Sequence, residues 1–204
     1  EARRFFSGGE GREIRQRAIG FSSLTTVGRT YGVVAEADRP GARLAGVLAS
    51  ADFFTTFGME PLLGRAFTAE EAEPGRNQVI ILSHACWQSR YGGDANVVGR
   101  TLRIDGYTVE VIGVMPATFD YPLLWQNAQY FRPLNFSREQ QEWRDFRVFR
   151  LIGRLTPGRT PEQATAEIGP LAKVQAQTHP ESYADFRYRV RPLHETLGEQ
   201  VGQN

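Results

Sequence analysis

Three features of this 204-residue sequence predict a mixed α/β (α+β) fold. Short runs rich in β-branched and aromatic residues recur between turn signals, as strands require. The dipeptide Asp105-Gly106 separates two such runs, and that pair is the strongest two-residue hairpin signal. In the C-terminal third, a capped helical segment stands between two alternating apolar–polar stretches, the pattern of a β-α-β unit.

The elements follow in order. Residues 11–24 (GREIRQRAIGFSSL) are expected to form a short amphipathic helix. VGRTYGVVAEA (27–37) and ARLAGVLAS (42–50) read as strands, joined through the turn chemistry of Asp38-Arg39-Pro40-Gly41. ADFFTTFG reads as a helical turn that Gly58 closes in a left-handed cap. A buried strand is expected at 78–82. TLRIDGYTVEVIGVMP then gives the hairpin, with Tyr107, Val109 and Val111 on one face. FRVFRLIGRL (146–155) is the next strand. After it, Thr160 as N-cap, Pro161 at the first helical position and Gln163 open a helix through a capping box. Pro170 is expected to kink or interrupt that helix, and His179-Pro180 to end it. FRYRVRPL (186–193) completes the unit as a strand.

The length suffices to bury a core, in one large domain or two small lobes. A net charge of +1 gives no strong field toward nucleic acid or anionic lipid. The basic residues are nearly all arginine, Lys173 being the single lysine. One cysteine makes no internal disulfide, so cysteine usage leaves the compartment open. No apolar run reaches about 18 residues, so this segment itself does not span a membrane. The start, EARRFFSGGEGRE, has no signal-peptide core and no initiating Met, and reads as part of a longer chain whose targeting signals lie elsewhere.

LSHACWQSRYGG (82–93) is the one stretch that resembles catalytic machinery. A nucleophile needs a base within hydrogen-bond reach. On a helix, His84 and Cys86 are two apart and point to different sides. A short helix capped by Ser83, stopped by Gly92-Gly93, with Trp87 and Tyr91 packed inward and Cys86 a small buried filler, accounts for the same letters. His84, His179 and His194 lack metal spacing, and one cysteine is too few for structural zinc. Glu70, Glu71 and Glu73 form an acidic cluster that follows Thr68 as a helix N-terminus would. Arg187, Arg189 and Arg191 alternate with Phe186, Tyr188 and Val190, and Arg150 and Arg154 oppose Leu151 and Leu155. That gives an arginine-rich face, either solvated or an interface. Nucleic acid is not expected, for want of a basic excess and exposed aromatics. No phosphate-binding loop is present, so no cofactor is implied.

Four pieces, taken in order, carry a family resemblance: DFFTTFGMEPLLGRAFT, VIILSHACWQSRYGG, VVGRTLRIDGYTVEVIGVMP and RLTPGRTPEQATAEI. Together they resemble the MacB-like periplasmic core domain and, more narrowly, its version in large acidobacterial-type ABC transporter permeases. The resemblance covers about Ala49 to Ile168. It implies a two-lobed fold: a porter-like β-α-β lobe from 1–45 and 135–204, and an inserted β-rich lobe from 46–134. It implies a place on the periplasmic side of the bacterial inner membrane, with PLHETLGEQVGQN leading to a second membrane helix. The implied partners are the protein's own transmembrane helices and a cytoplasmic ABC ATPase subunit, with a periplasmic adaptor or outer-membrane channel left open. No catalysis in this chain is implied, and no catalytic, metal or cofactor residues are carried over. Two other readings stand beside it: a free-standing periplasmic lipid- or lipopeptide-binding module, and a hydrolase built on Cys86 or Ser83.

Overall fold

The computed structural model describes residues 5–36, 39–119, 127–144, 146–183 and 186–196. Contacts divide the chain into two units, Val27–Asn135 and the pair of segments Glu1–Thr26 with Phe136–Asn204. The strand β1 (Phe21–Glu36) gives residues 21–26 to one and 27–36 to the other.

The unit 27–135 is built around a ring of strand pairing. β1 pairs antiparallel with β2 (Arg39–Ala49), from Val27↔Ala49 to Glu36↔Arg39. β2 runs parallel to β7 (Tyr130–Pro133), which is antiparallel to β4 (Val79–Leu82). β4 lies parallel to β6 (Tyr107–Val114), β6 pairs with β5 (Thr101–Ile104), and β5 returns to β1 at Val34↔Ile104. The two-residue β3 (Leu63–Gly64) joins β6 from outside this path. Closure of this kind removes the free strand edges that an open sheet must protect.

The ring buries Val34, Leu44, Ile80, Leu82, Leu102, Ile104, Val109 and Val111. Tyr130 lies in the same cluster because two glycines leave it room. A Cβ on Gly46 would stand 2.3 Å from its Cζ, and one on Gly32 would stand 3.0 Å from its hydroxyl. The hairpin forms at Asp105-Gly106, both with positive φ, as that turn demands. Val109 and Val111 face inward as expected; Tyr107, at the mouth of the strand, is exposed. α2 (Phe53–Phe57) ends at Gly58 with φ 65°, the left-handed cap expected there. It packs Phe53 against Phe119 and Phe131, each 5.6 Å away between ring centres. α3 (His84–Tyr91) follows β4.

In the other unit, α1 (Gly8–Arg17) packs with α4 (Pro161–Thr178), and β8 (Phe149–Leu155) pairs with β1. Ile14, Leu24, Ile168, Leu171, Ala172 and Tyr188 make its core. Four expectations are corrected here. The helix expected over 11–24 runs from Gly8 to Arg17, because Ser7 and Glu10 form a capping box upstream and residues 21–24 join β1. The strand expected to start at 42 starts at Arg39, and of the turn that precedes it Asp38 lies outside the described residues. α4 runs unbroken through Pro170. Gly169 removes the Cβ that would clash with the proline ring, and Ala166, whose carbonyl loses its donor, is exposed to water. Finally, FRYRVRPL pairs with no strand among the described residues. The Val190 N–H donates instead to the Thr165 hydroxyl on α4, at 2.9 Å. The inward–outward alternation survives: Tyr188 is buried, while Arg187 and Arg189 are exposed. α5 (Pro180–Tyr183) is a single turn after His179.

Candidate functional site

LSHACWQSRYGG folds as the helix that its capping residues predict. The Ser83 hydroxyl accepts the Cys86 N–H at 3.2 Å, and Gly92 closes the helix in a left-handed cap. Trp87 and Tyr91 are buried, and the Trp87 indole N–H donates to the Asp94 carbonyl at 2.8 Å. His84 stands edge-on to Trp87, 5.4 Å between ring centres. Cys86 is 1% exposed, and burial pushes its thiol up to about 11, against the pull of Arg90. A nucleophilic cysteine needs the opposite: a lowered pKa and access.

Beneath this helix lies a buried charge that no motif had flagged. Glu36, at the end of β1, accepts from Arg90 Nε at 2.9 Å and from the Tyr91 hydroxyl at 3.1 Å. Arg100 Nε stands 3.5 Å from its second oxygen, and the side chain is 2% exposed. Burial, with the charge of Glu36 added, pushes the Tyr91 hydroxyl up to about 12, so it stays a donor. Arg90 also reaches the Pro40 carbonyl at 3.4 Å. The cluster fastens the far end of the β1–β2 hairpin to α3.

The acidic run 70–73 is structural. Burial works to raise Glu71, but a bidentate bond from Arg65 (2.6 and 2.9 Å) and the Thr68 N–H (2.8 Å) outweigh it and hold the carboxyl below its ordinary value. Glu70 and Glu73 are exposed. Of the arginine-rich face, Arg191 is half-buried, Arg154 is exposed, and Arg150 lies over the Phe5 ring at 5.2 Å. His84 belongs to the unit 27–135; His179, the C-cap of α4, and His194 belong to the other. Among the described residues no group of three or more His, Cys, Asp or Glu is placed to hold a metal ion.

The richest polar constellation was missed in the sequence. Glu10 is fully buried; it accepts the Ser7 N–H at 2.6 Å and Arg147 Nε at 2.8 Å. One turn on, Glu13 accepts from Arg144 Nη2 at 2.5 Å and from Gln175 Nε2 at 2.6 Å. Gln175 in turn accepts the Tyr188 hydroxyl at 2.6 Å. The spacing Ser7-x-x-Glu10 before a helix was a readable signal for the cap alone. Nothing local announces partners about 130 residues away. Each carboxylate is paired with an arginine, and the contacts join α1 to the stretch around 144–147 and to α4.

The model of the MacB-like periplasmic core domain matches residues 2–171. No curated protein sequence matches the chain. Solved structures resemble it over nearly its whole length. One is a domain assigned to a permease from Porphyromonas gingivalis, with TM-score 0.66 and 19% identity, covering 96% of this chain and 90% of that one. The periplasmic region of MacB from Actinobacillus actinomycetemcomitans gives TM-score 0.67 and 13% identity, covering 99% of this chain and 85% of that one. The extracellular domain of the noncanonic ABC-type transporter YknZ from Gram-positive bacteria gives TM-score 0.62 and 14% identity, covering 92% of this chain and 90% of that one. At these identities the structural likeness is one of fold.

Proposed function

Because the chain belongs to the family of MacB-like periplasmic core domains of ABC permeases, on the periplasmic side of the inner membrane, we propose that it is a mechanical coupler. Membrane helices, moved by a separate cytoplasmic ATPase, displace it, and it passes that displacement to cargo or to periplasmic partners without chemistry of its own. The observation that carries this reading is the family match over 2–171. The site supports it: its buried charged groups bind elements to one another, and its cysteine is sealed and protonated. No helix among the described residues is long and apolar enough to cross a membrane, so the helices of this reading lie outside the segment.

The two-lobe division belongs to the same proposal, with 1–45 and 135–204 as a porter-like lobe and 46–134 as the inserted lobe. The division of contacts lends it support in the two-body sense, and groups the β1–β2 hairpin with the inserted part. A periplasmic adaptor or outer-membrane channel is its natural downstream partner.

The test is the parent reading frame on both sides of Glu1 and Asn204. Apolar helices of about 20 residues flanking both ends are expected. Their absence would sink the coupler and leave a free-standing lipid- or lipopeptide-binding module in its place.

A further inference from the structure

We infer that Glu10 and Glu13, with Arg147, Arg144, Gln175 and Tyr188, form a latch that makes α1 and the C-terminal segment of the same unit respond to displacement as one piece. The contacts are continuous. From α1, Glu13 bridges Arg144 of the 134–148 connection and Gln175 of α4, and Gln175 holds the Tyr188 hydroxyl. A second branch runs from Ser7 and Glu10 to Arg147, whose guanidinium reaches the Ser182 carbonyl at 3.4 Å and lies over the Tyr183 ring at 5.0 Å and the Phe186 ring at 5.6 Å. Three stretches far apart in sequence are therefore joined by directional, charge-assisted bonds.

Holding elements together could have been done by apolar packing at lower cost, since burying charges forfeits hydration that their attraction only partly returns. Here the chain goes out of its way to bury them. In the stretch 143–148, Arg144 and Arg147 turn inward, while Trp143, Phe146 and Val148 are left exposed. That is the reverse of the ordinary pattern. Arg144 meets Glu13 through Nη2, while its Nε and Nη1 are buried with no hydrogen-bond partner among the described residues. The fit is close: a Cβ on Gly9 would lie 2.7 Å from Arg144 Nη1. Burial and the charge of Glu10 push the Tyr183 hydroxyl up to about 12 and raise that of Tyr188 as well, so both remain protonated. Bonds of this kind fix one geometry and break discretely, whereas an apolar contact slides.

The inference deepens the coupler reading and rests on it for its purpose, but its test needs only this chain. Tyr188→Phe removes one hydroxyl at the C-terminal end of the latch and leaves the ring packing. Hydrogen exchange measured by mass spectrometry on the 204-residue chain should then show α1 amides around Glu13 exchanging about fivefold faster, the worth of one buried hydrogen bond. From the other end, Glu13→Gln removes a charge as well as a contact and should speed exchange at 173–178 and 186–190 by at least as large a factor, with β4 and β6 of the other unit unchanged. If α1 does not respond to Tyr188→Phe, or if Glu13→Gln speeds exchange uniformly through both units, the latch is wrong. Should Glu13→Gln not fold, the response of α1 to Tyr188→Phe decides alone. A negative result leaves the permease reading standing, and a parent frame without membrane helices leaves the latch standing.

Discussion

Gly9 and Gly11 sit two residues apart in α1 and carry opposite expectations. Alanine favours a helix interior over glycine by about 1 kcal/mol, so propensity alone would stabilise both substitutions. At Gly9 the new methyl group would meet Gln141 backbone oxygen and Arg144 Nη1, each at 2.7 Å. Neither can yield without moving backbone or undoing the bond to Glu13. Overpacking of this sort costs about 1–3 kcal/mol, and Gly9→Ala is expected to lower stability. At Gly11 the nearest atoms, on Thr26 and Leu151, stand at 3.7 and 3.8 Å, ordinary contact distances. Gly11→Ala should therefore raise stability by about 0.5–1 kcal/mol. Urea denaturation of the two variants checks the pair: equal shifts in the same direction would show that close approach does not decide the sign. The sequence offers GG and GR with no hint of which glycine is indispensable, because the crowding atoms come from residues about 130 positions away.

At the scale of elements, termini were more legible than interiors. Thr160-Pro161-x-Gln163 opens α4 as its letters predict, with Thr160 Oγ1 accepting the Gln163 N–H at 3.3 Å and the Gln163 side chain returning to the Thr160 N–H at 3.0 Å. The box is exposed and local, so Thr160→Ala should cost about 1 kcal/mol, read as a shift in the urea midpoint with unchanged slope. No loss would mean that packing of Ile168 and Leu171 alone fixes the helix start. Caps are legible because their partners lie within four residues. Pro170 does not interrupt the helix for the complementary reason: whether a proline breaks a helix depends on its surroundings, and here Gly169 precedes it and Ala166 lies at the surface. FRYRVRPL shows the same limit. Its alternation holds at the buried Tyr188 and the exposed Arg187 and Arg189 but not at the half-buried Arg191, and alternation states a period and not a partner, which α4 supplies through Thr165.

Across the whole molecule, the ring of pairing in 27–135 depends on long-range closure. β1–β5 is a narrow seam, with Val34↔Ile104 and Ala35↔Arg103 as its paired residues, as few as join β4 to β7, and Glu36 lies immediately beyond it. Removing the charge of Glu36 would leave Arg90 and Arg100 facing a buried neutral group. Breaking one side of a buried ion pair costs about 3–5 kcal/mol, and the partial exposure of Arg100, 32%, argues for the lower end. Glu36→Gln is therefore expected to destabilise the unit by about 3 kcal/mol, followed through the fluorescence of buried Trp87. A loss below about 1 kcal/mol would place the cluster with ordinary surface pairs. The hairpin at Asp105-Gly106 and the strand 79–82 were evident in the residues. That they close with β1, β2 and β7 was not, since closure is a relation between strands up to about 100 residues apart.

By itself the sequence determined the features whose causes are near in the chain: the mixed α/β class, the hairpin, the caps of α3 and α4, the helix that Ser83 opens and Gly92 closes, and, through four ordered motifs, the family. Only the tertiary structure decided which strands close the ring, why Gly46 and Gly32 face Tyr130, and where Glu10, Glu13 and Glu36 find their arginines. The physical reason is one of range. Propensity, capping and turn geometry act over a few residues and are written locally. Burial of a charge is decided by groups that folding brings from elsewhere, and no local pattern records which ones arrive.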